Sequence, residues 1–209
     1  MEIKTPGFVL KKQNFGEADR ILRIFTRDYG LIAALAKGVK KTKSRKAGSL
    51  ELFSEANFRL HRKTGELFLL TDAAAISAFE SKDLAVMRAA YAASELILNL
   101  APPEKELPKT YQLFQNFLQL LLGTPKVDLL KIALFAKVFS ILGFLPDIDK
   151  FSERKKKLLH FLLEQDLAQI LRLENDVKIF AEIESFLLAT FETVTEKNSR
   201  VTAATENWR

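Results

Sequence analysis

The residues most able to do chemistry in this chain are cations. Residues 37–46 read Lys37-Gly38-Val39-Lys40-Lys41-Thr42-Lys43-Ser44-Arg45-Lys46, six cations with no acid. A polyphosphate is the natural partner of such a run. Each phosphate neutralised releases condensed counterions, so binding is favourable and weakens steeply with salt. Gly38 and Gly48 flank the run and leave its backbone free to track a strand. Arg27, Arg59 and Lys63 are candidates to widen the patch. Contacts from Lys and Arg to phosphate carry no base information, so binding is expected to be independent of sequence. The run has no aromatic residue. Platforms for stacking bases would have to come from the barrel face, with Phe15, Tyr29 and Phe53 as candidates that core or rim packing explains better. The plain alternative is a solvated loop of like charges with no partner.

Other chemistry is sparse. Glu17 and Asp19 are two apart and have the spacing of a metal pair, but a turn or ion-pair role beside Arg20 fits them better. His61 falls on the polar face of a strand, and His160 stands between Leu159 and Phe161 in a helix, where packing explains it. No P-loop, GxGxxG, HExxH or GxSxG motif occurs, and no DxD or ExK grouping of a metal-dependent nuclease. With no cysteine and two histidines, neither a disulfide framework nor a thiolate zinc site can form. No catalytic residue, metal or cofactor is expected. A second cluster, Arg154-Lys155-Lys156-Lys157, opens a helix against the macrodipole, with Glu153 and Asp149 near enough to compensate.

The distribution of charge sharpens the first signal. The net charge of +6 is not spread evenly: residues 1–79 hold 15 Lys/Arg and 8 Asp/Glu, and residues 80–209 hold 17 and 18. The basic excess lies wholly in the first third, which points to a polyanion partner for that part. The start of the chain has no apolar signal-peptide core. Its longest apolar stretch, 132–145, is broken by Lys137 and is too short for a bilayer. A cytoplasmic protein without a membrane segment is expected.

Two kinds of element must position these groups. In residues 1–79 the apolar pattern has a period near two. Strands are expected over 8–11, 20–27, 31–36, 52–62 and 66–71, with turns at Asp28-Tyr29-Gly30 and Lys63-Thr64-Gly65. In the fourth, Leu52, Ala56, Phe58 and Leu60 share one face and Glu55, Asn57, Arg59 and His61 the other. Residues 20–27 are apolar on both faces. Five strands in this length suit a small closed barrel, with the OB-fold the natural candidate and an SH3-like barrel left open.

After Phe79 the period becomes helical. A helix capped by Ser81 is expected to run through Leu98, and a second to open at Pro108 with Tyr111, Phe114, Leu118 and Leu121 inward. A third covers 126–142, and a fourth starts near Ser152 with Leu158, Phe161 and Leu162. A short turn is placed at 170–173, and a last long helix carries Ile179, Phe180, Ile183, Phe186, Leu187 and Phe191. The polar stretch 197–209 reads as a frayed end. The expected fold is α+β: residues 1–79 form an OB barrel and residues 80–209 an all-α domain.

An ordered series of short pieces then carries a resemblance. Gly7-Phe8-Val9-Leu10 is followed by Gly16-Glu17-Ala18-Asp19-Arg20-Ile21-Leu22 and by Phe25-Thr26-Arg27-Asp28-Tyr29-Gly30. Ala36-Lys37-Gly38-Val39-Lys40-Lys41, Ser44-Arg45 and Gly48-Ser49-Leu50 complete it, and Leu142-Gly143-Phe144-Leu145-Pro146-Asp147 extends it loosely. In this order and spacing the chain resembles the RecO family of bacterial recombination mediators. The resemblance implies an N-terminal OB-fold joined to a helical domain. It implies binding of single- and double-stranded DNA and annealing of complementary strands. The implied partners are RecR and the acidic C-terminal tail of single-stranded-DNA-binding protein, with loading of RecA as the outcome.

Many family members carry a four-cysteine zinc module after the Gly-Phe-x-Pro-Asp stretch. Here Asp147-Ile148-Asp149-Lys150 leads straight toward Ser152, so the module is absent and no metal is expected. A site for the protein tail needs an apolar groove beside a cation, and Lys131 and Lys137 with Phe135 and Phe139 are the candidates. Other functions fit the same composition: an RNA-binding OB protein, a helical interaction scaffold on which the basic loop is incidental, or a cryptic nuclease.

Overall fold

The computed structural model describes residues 1–40, 50–62, 67–149, 151–174 and 177–206, with no side chain described at Val177 or beyond Glu196. Among the described residues five strands come first: β1 (Glu2–Phe15), β2 (Asp19–Thr26), β3 (Gly30–Ala36), β4 (Glu55–Arg62) and β5 (Leu67–Ser77). They close into a barrel in the order β1-β2-β3-β5-β4, antiparallel throughout except for the parallel seam between β3 and β5. This is the OB topology. Among the described residues six helices follow: α1 (Leu84–Leu100), α2 (Pro108–Leu121), α3 (Val127–Leu142), α4 (Glu153–Glu164), α5 (Leu167–Ile170) and α6 (Val177–Glu206).

The first strand is longer than periodicity suggests because it serves two neighbours. Residues 2–8 pair with β4, and residues 7–15 pair with β2. Gly7 lies where the two pairings overlap. A Cβ there would stand 2.9 Å from Ile24 Cγ2 and 3.0 Å from the Phe25 carbonyl oxygen, so the close approach requires glycine. A register shift between Val9 and Lys11 bends the strand around the barrel.

Inward residues fill the barrel as the alternation requires. Val9, Leu22, Ile24, Ile32, Phe58, Leu60 and Phe68 form the centre of its core. The opposite face of β2 is apolar for a second reason. Phe25 points outward yet is buried, because Tyr111 covers it with ring centroids 5.6 Å apart, and Tyr111 also covers Phe8 at 5.3 Å.

Two compact units divide the chain, Met1–Gln112 and Leu113–Arg209. The barrel strands end at Ser77, and the first unit also takes α1 and the opening turn of α2. Asp83 caps α1, accepting from the amides of Ala85 and Val86, while the expected cap Ser81 instead accepts from the Asp83 amide.

In the second unit α3 packs against α4, α5 and α6. Its apolar residues face nearly every direction, and ten of them are buried, as befits a central helix. Ser152 caps α4 as expected. Leu159 and Leu162 are its buried residues; Leu158 and Phe161 are only half-buried, and His160 is exposed rather than packed. The backbone of α6 stays helical to Glu206, past the point where fraying was expected.

Candidate nucleic-acid interface

The basic run begins at the end of β3. Lys37 and Lys40 are exposed, while Val39 between them is buried and anchors the turn. Gly38 adopts φ 68°, a conformation glycine takes without strain. Two hydrogen bonds tie this turn to the β1–β2 turn: the Gly38 amide donates to Asp19 Oδ1 at 2.8 Å, and the Lys40 amide donates to the Ala18 carbonyl at 3.0 Å. Asp19 therefore has the turn role. Among the described residues no three His, Asp or Glu side chains gather as a metal site. Lys41, Lys43, Arg45 and Lys46 lie outside the described residues, as does Lys63.

Phe15 ends β1 beside this pair of turns, opposite Asp19 in the β1–β2 register, and is about half exposed. Phe53 is buried at φ 65°, packed edge-on to Phe79 and Tyr91. Tyr29 is partly buried against the barrel core. Of the three proposed stacking rings, only Phe15 presents itself to a ligand.

Arg27 is not brought to this end. Asp19 and Arg20 start β2 and Arg27 follows its last residue, so roughly 20 Å of strand separates Arg27 from the Lys37 turn. Arg27 pairs instead with Asp28 at 2.9 Å, and this hydrogen bond holds the Asp28 carboxyl below its ordinary range. Arg59 sits mid-strand on β4, opposite Lys4, and pairs with Glu2 at 3.5 Å.

Sequence reasoning missed a basic face on the barrel wall. Lys11 on β1, Arg23 on β2 and Ala33 on β3 stand opposite one another in the ladder and so face outward together. With Phe15, Lys11 and Arg23 give the outer wall of β1 and β2 a basic, partly aromatic face that leads away from the Lys37 turn. The parity of Arg23 against the inward Leu22 and Ile24 was visible in the sequence; its pairing with Lys11 was not.

In the helical unit the four residues expected to hold a protein tail are otherwise engaged. Phe135 and Phe139 are buried and pack edge-on, their centroids 6.2 Å apart. Lys131 pairs with Glu184 at 2.8 Å and Asp128 at 3.1 Å. Burial disfavours its ammonium, but those carboxylates outweigh the penalty and raise its pKa. Lys137 donates to the Leu163 carbonyl at 2.7 Å, and desolvation lowers its pKa. The rings belong to the core because α3 is central, so they do not line an open groove. The cluster at 154–157 is likewise partly spent, with Lys155 paired to Glu182 and Lys156 to Glu153.

A closed five-stranded barrel followed by a helical unit defines an OB-fold protein with a helical second part. Family models narrow the class. Recombination protein O N terminal matches residues 1–79, and Recombination protein O C terminal matches residues 81–152. The chain belongs to the RecO family.

A protein named DNA repair protein RecO from Dehalococcoides mccartyi is 26% identical, over 95% of this chain and 93% of its own length. The proteins of the same name from Pelotomaculum thermopropionicum and Acetivibrio thermocellus are 31% and 32% identical. The match covers 71% and 69% of this chain, and 58% of each of these relatives. Among the described residues no helix is long and apolar enough to cross a membrane.

Proposed function

We propose that this protein is a cytoplasmic DNA repair and recombination mediator that binds single- and double-stranded DNA and anneals complementary strands. The observation that carries the proposal is the basic turn at Lys37–Lys40, hydrogen-bonded to the β1–β2 turn beside the exposed Phe15. Family membership supports the same reading.

Annealing requires no bond to be made or broken by the protein, and no catalytic residue or cofactor is proposed. Two strands repel one another, and a surface that neutralises both lowers the cost of their encounter. Residues 37–46 supply the charge, and Phe15 supplies a face on which one base can stack. RecR and single-stranded-DNA-binding protein are the proposed partners, with loading of RecA as the outcome; the RecO resemblance supports this assignment. The tail of single-stranded-DNA-binding protein would have to displace existing contacts to use Lys131 and Lys137.

The test is fluorescence anisotropy of labelled single-stranded DNA over a salt series, together with an annealing assay. A variant with Lys40, Lys41, Lys43 and Arg45 changed to Ala is expected to bind more weakly, with a shallower salt slope, and to anneal more slowly. Wild-type protein that binds no DNA at low salt would overturn the proposal. Preference for RNA of the same sequence would move the function to RNA.

A further inference from the structure

A cleft of about 390 Å³ opens on the barrel wall beside the β3–β5 seam. Arg23, Leu31, Ile32, Ala33, Arg62, Pro103 and Glu104 line it, all within the first compact unit. The parallel pairing of β3 with β5 covers only Ala33–Leu35. Before that point the edge of β3 is met instead by the segment after α1, through a bridge from Leu31 to Pro103 and a 3.1 Å bond from the Glu104 amide to the Leu31 carbonyl.

Two guanidiniums enter this cleft, and neither is fully satisfied. The Nε of Arg23 and the Nε of Arg62 are both shielded from water and, among the described residues, have no hydrogen-bond partner. Arg62 lies 4.4 Å over the Phe68 ring and pairs with Glu104. Among the described residues Arg23 forms no ion pair, and its cross-strand neighbour on β1 is another cation, Lys11. Like charges opposed on one face of a sheet are unfavourable unless an anion joins them. Burial also pulls the Arg23 pKa down, the direction expected of a cation lacking its counter-charge. Glu104 holds φ 53°, which is strained for a residue with a side chain.

We propose that this cleft is a second phosphate seat: Arg23 and Arg62 take one phosphodiester of bound single-stranded DNA, and Glu104 is the internal anion that the phosphate displaces from Arg62. The proposal rests on the DNA-binding reading and extends it. Four residues of β2 separate Asp19, beside the basic turn, from Arg23, roughly 13 Å of strand. A DNA strand that leaves the turn at Lys37–Lys40, passes Phe15 and follows the outer face of β1 and β2 therefore meets Lys11 and then the cleft. The planar arginine fork suits a phosphate better than an ammonium would.

Three variants test it: Arg23→Gln, Arg62→Gln and Glu104→Gln. Each is measured by anisotropy with labelled single-stranded DNA over a salt series, and by thermal unfolding to confirm the fold. Arg23→Gln is expected to weaken binding by roughly tenfold and to lower the salt slope by about one, as loss of a charge-assisted phosphate contact requires. Glu104→Gln is expected to tighten binding several-fold, because Arg62 no longer has a competitor. A folded Arg23→Gln protein with wild-type affinity and slope would overturn the seat while leaving the loop as the DNA site. A Glu104→Gln protein that binds no more tightly would overturn the displacement.

If wild-type protein binds no DNA, the functional reading fails by itself, and inorganic phosphate becomes the probe. Phosphate-dependent shifts of the Arg23 and Arg62 Nε–Hε resonances would then support an anion seat, and their absence would overturn it.

Discussion

Tyr111 donates a 2.7 Å hydrogen bond to Glu55, joining the first turn of α2 to the start of β4. Both side chains are buried, although Glu55 belongs to the face of β4 that alternation assigns to solvent. The phenol lies over Phe8 and Phe25, so one residue shields the outer barrel wall and also satisfies a buried carboxyl. Tyr111→Phe keeps the ring and removes the donor. It is expected to cost about 1–2 kcal/mol in denaturant unfolding.

The same pair predicts a response to alkali. Burial, with the hydrogen bond and charge of Glu55, raises the Tyr111 pKa far above its ordinary value near 10. A raised folded-state pKa means stability that is fully present below about pH 10 and is lost as pH rises further toward the folded pKa. The slope is about 1.4 kcal/mol per pH unit for one proton. Tyr111→Phe should flatten the loss above pH 10, measured by urea unfolding at a series of pH values.

Gly30 should not tolerate a side chain. It adopts φ 62°, and a Cβ there would stand 2.0 Å from the Lys105 carbonyl oxygen. Gly30→Ala is expected to destabilise the barrel unit by about 2 kcal/mol or more, combining backbone strain with displacement of the segment after α1. Denaturant unfolding followed by near-UV circular dichroism measures it.

Phe15 is exposed at the barrel end, so its loss should separate binding from folding. Phe15→Ala is expected to leave the melting temperature nearly unchanged and to weaken single-stranded DNA binding by about 1–3 kcal/mol. An unchanged salt slope in the anisotropy titration would mark the lost contact as stacking rather than charge.

In the helical unit, Lys131 sits between Asp128 and Glu184. Lys131→Glu would set three carboxylates together at a half-buried position. It is expected to lower stability by about 1–3 kcal/mol, and high salt should recover part of the loss. Chemical denaturation at two ionic strengths checks both.

Much of this molecule is decided locally. The alternation in β4, the inward positions of α2 and the charge run at 37–46 are properties of residue order, because side-chain direction along a strand or helix repeats with a fixed period. The barrel, the helical region after it and the cationic turn could therefore be read without coordinates. Cap choice is nearly as local, yet the cap expected at Ser81 falls to Asp83, because the actual start of α1 decides it.

Tertiary structure settled what depends on partners far away in the chain. Glu55 is buried because Tyr111, 56 residues later, covers it. Arg27 and Lys37 lie in one basic segment but end up at opposite ends of β2 and β3. Phe135 and Phe139 face the core because three helices surround α3. Lys11, Arg23 and Arg62 come from three strands, and strand register with barrel closure sets their neighbours. Periodicity shows which way a side chain points; only closure of the barrel and packing of the helices show what it meets there.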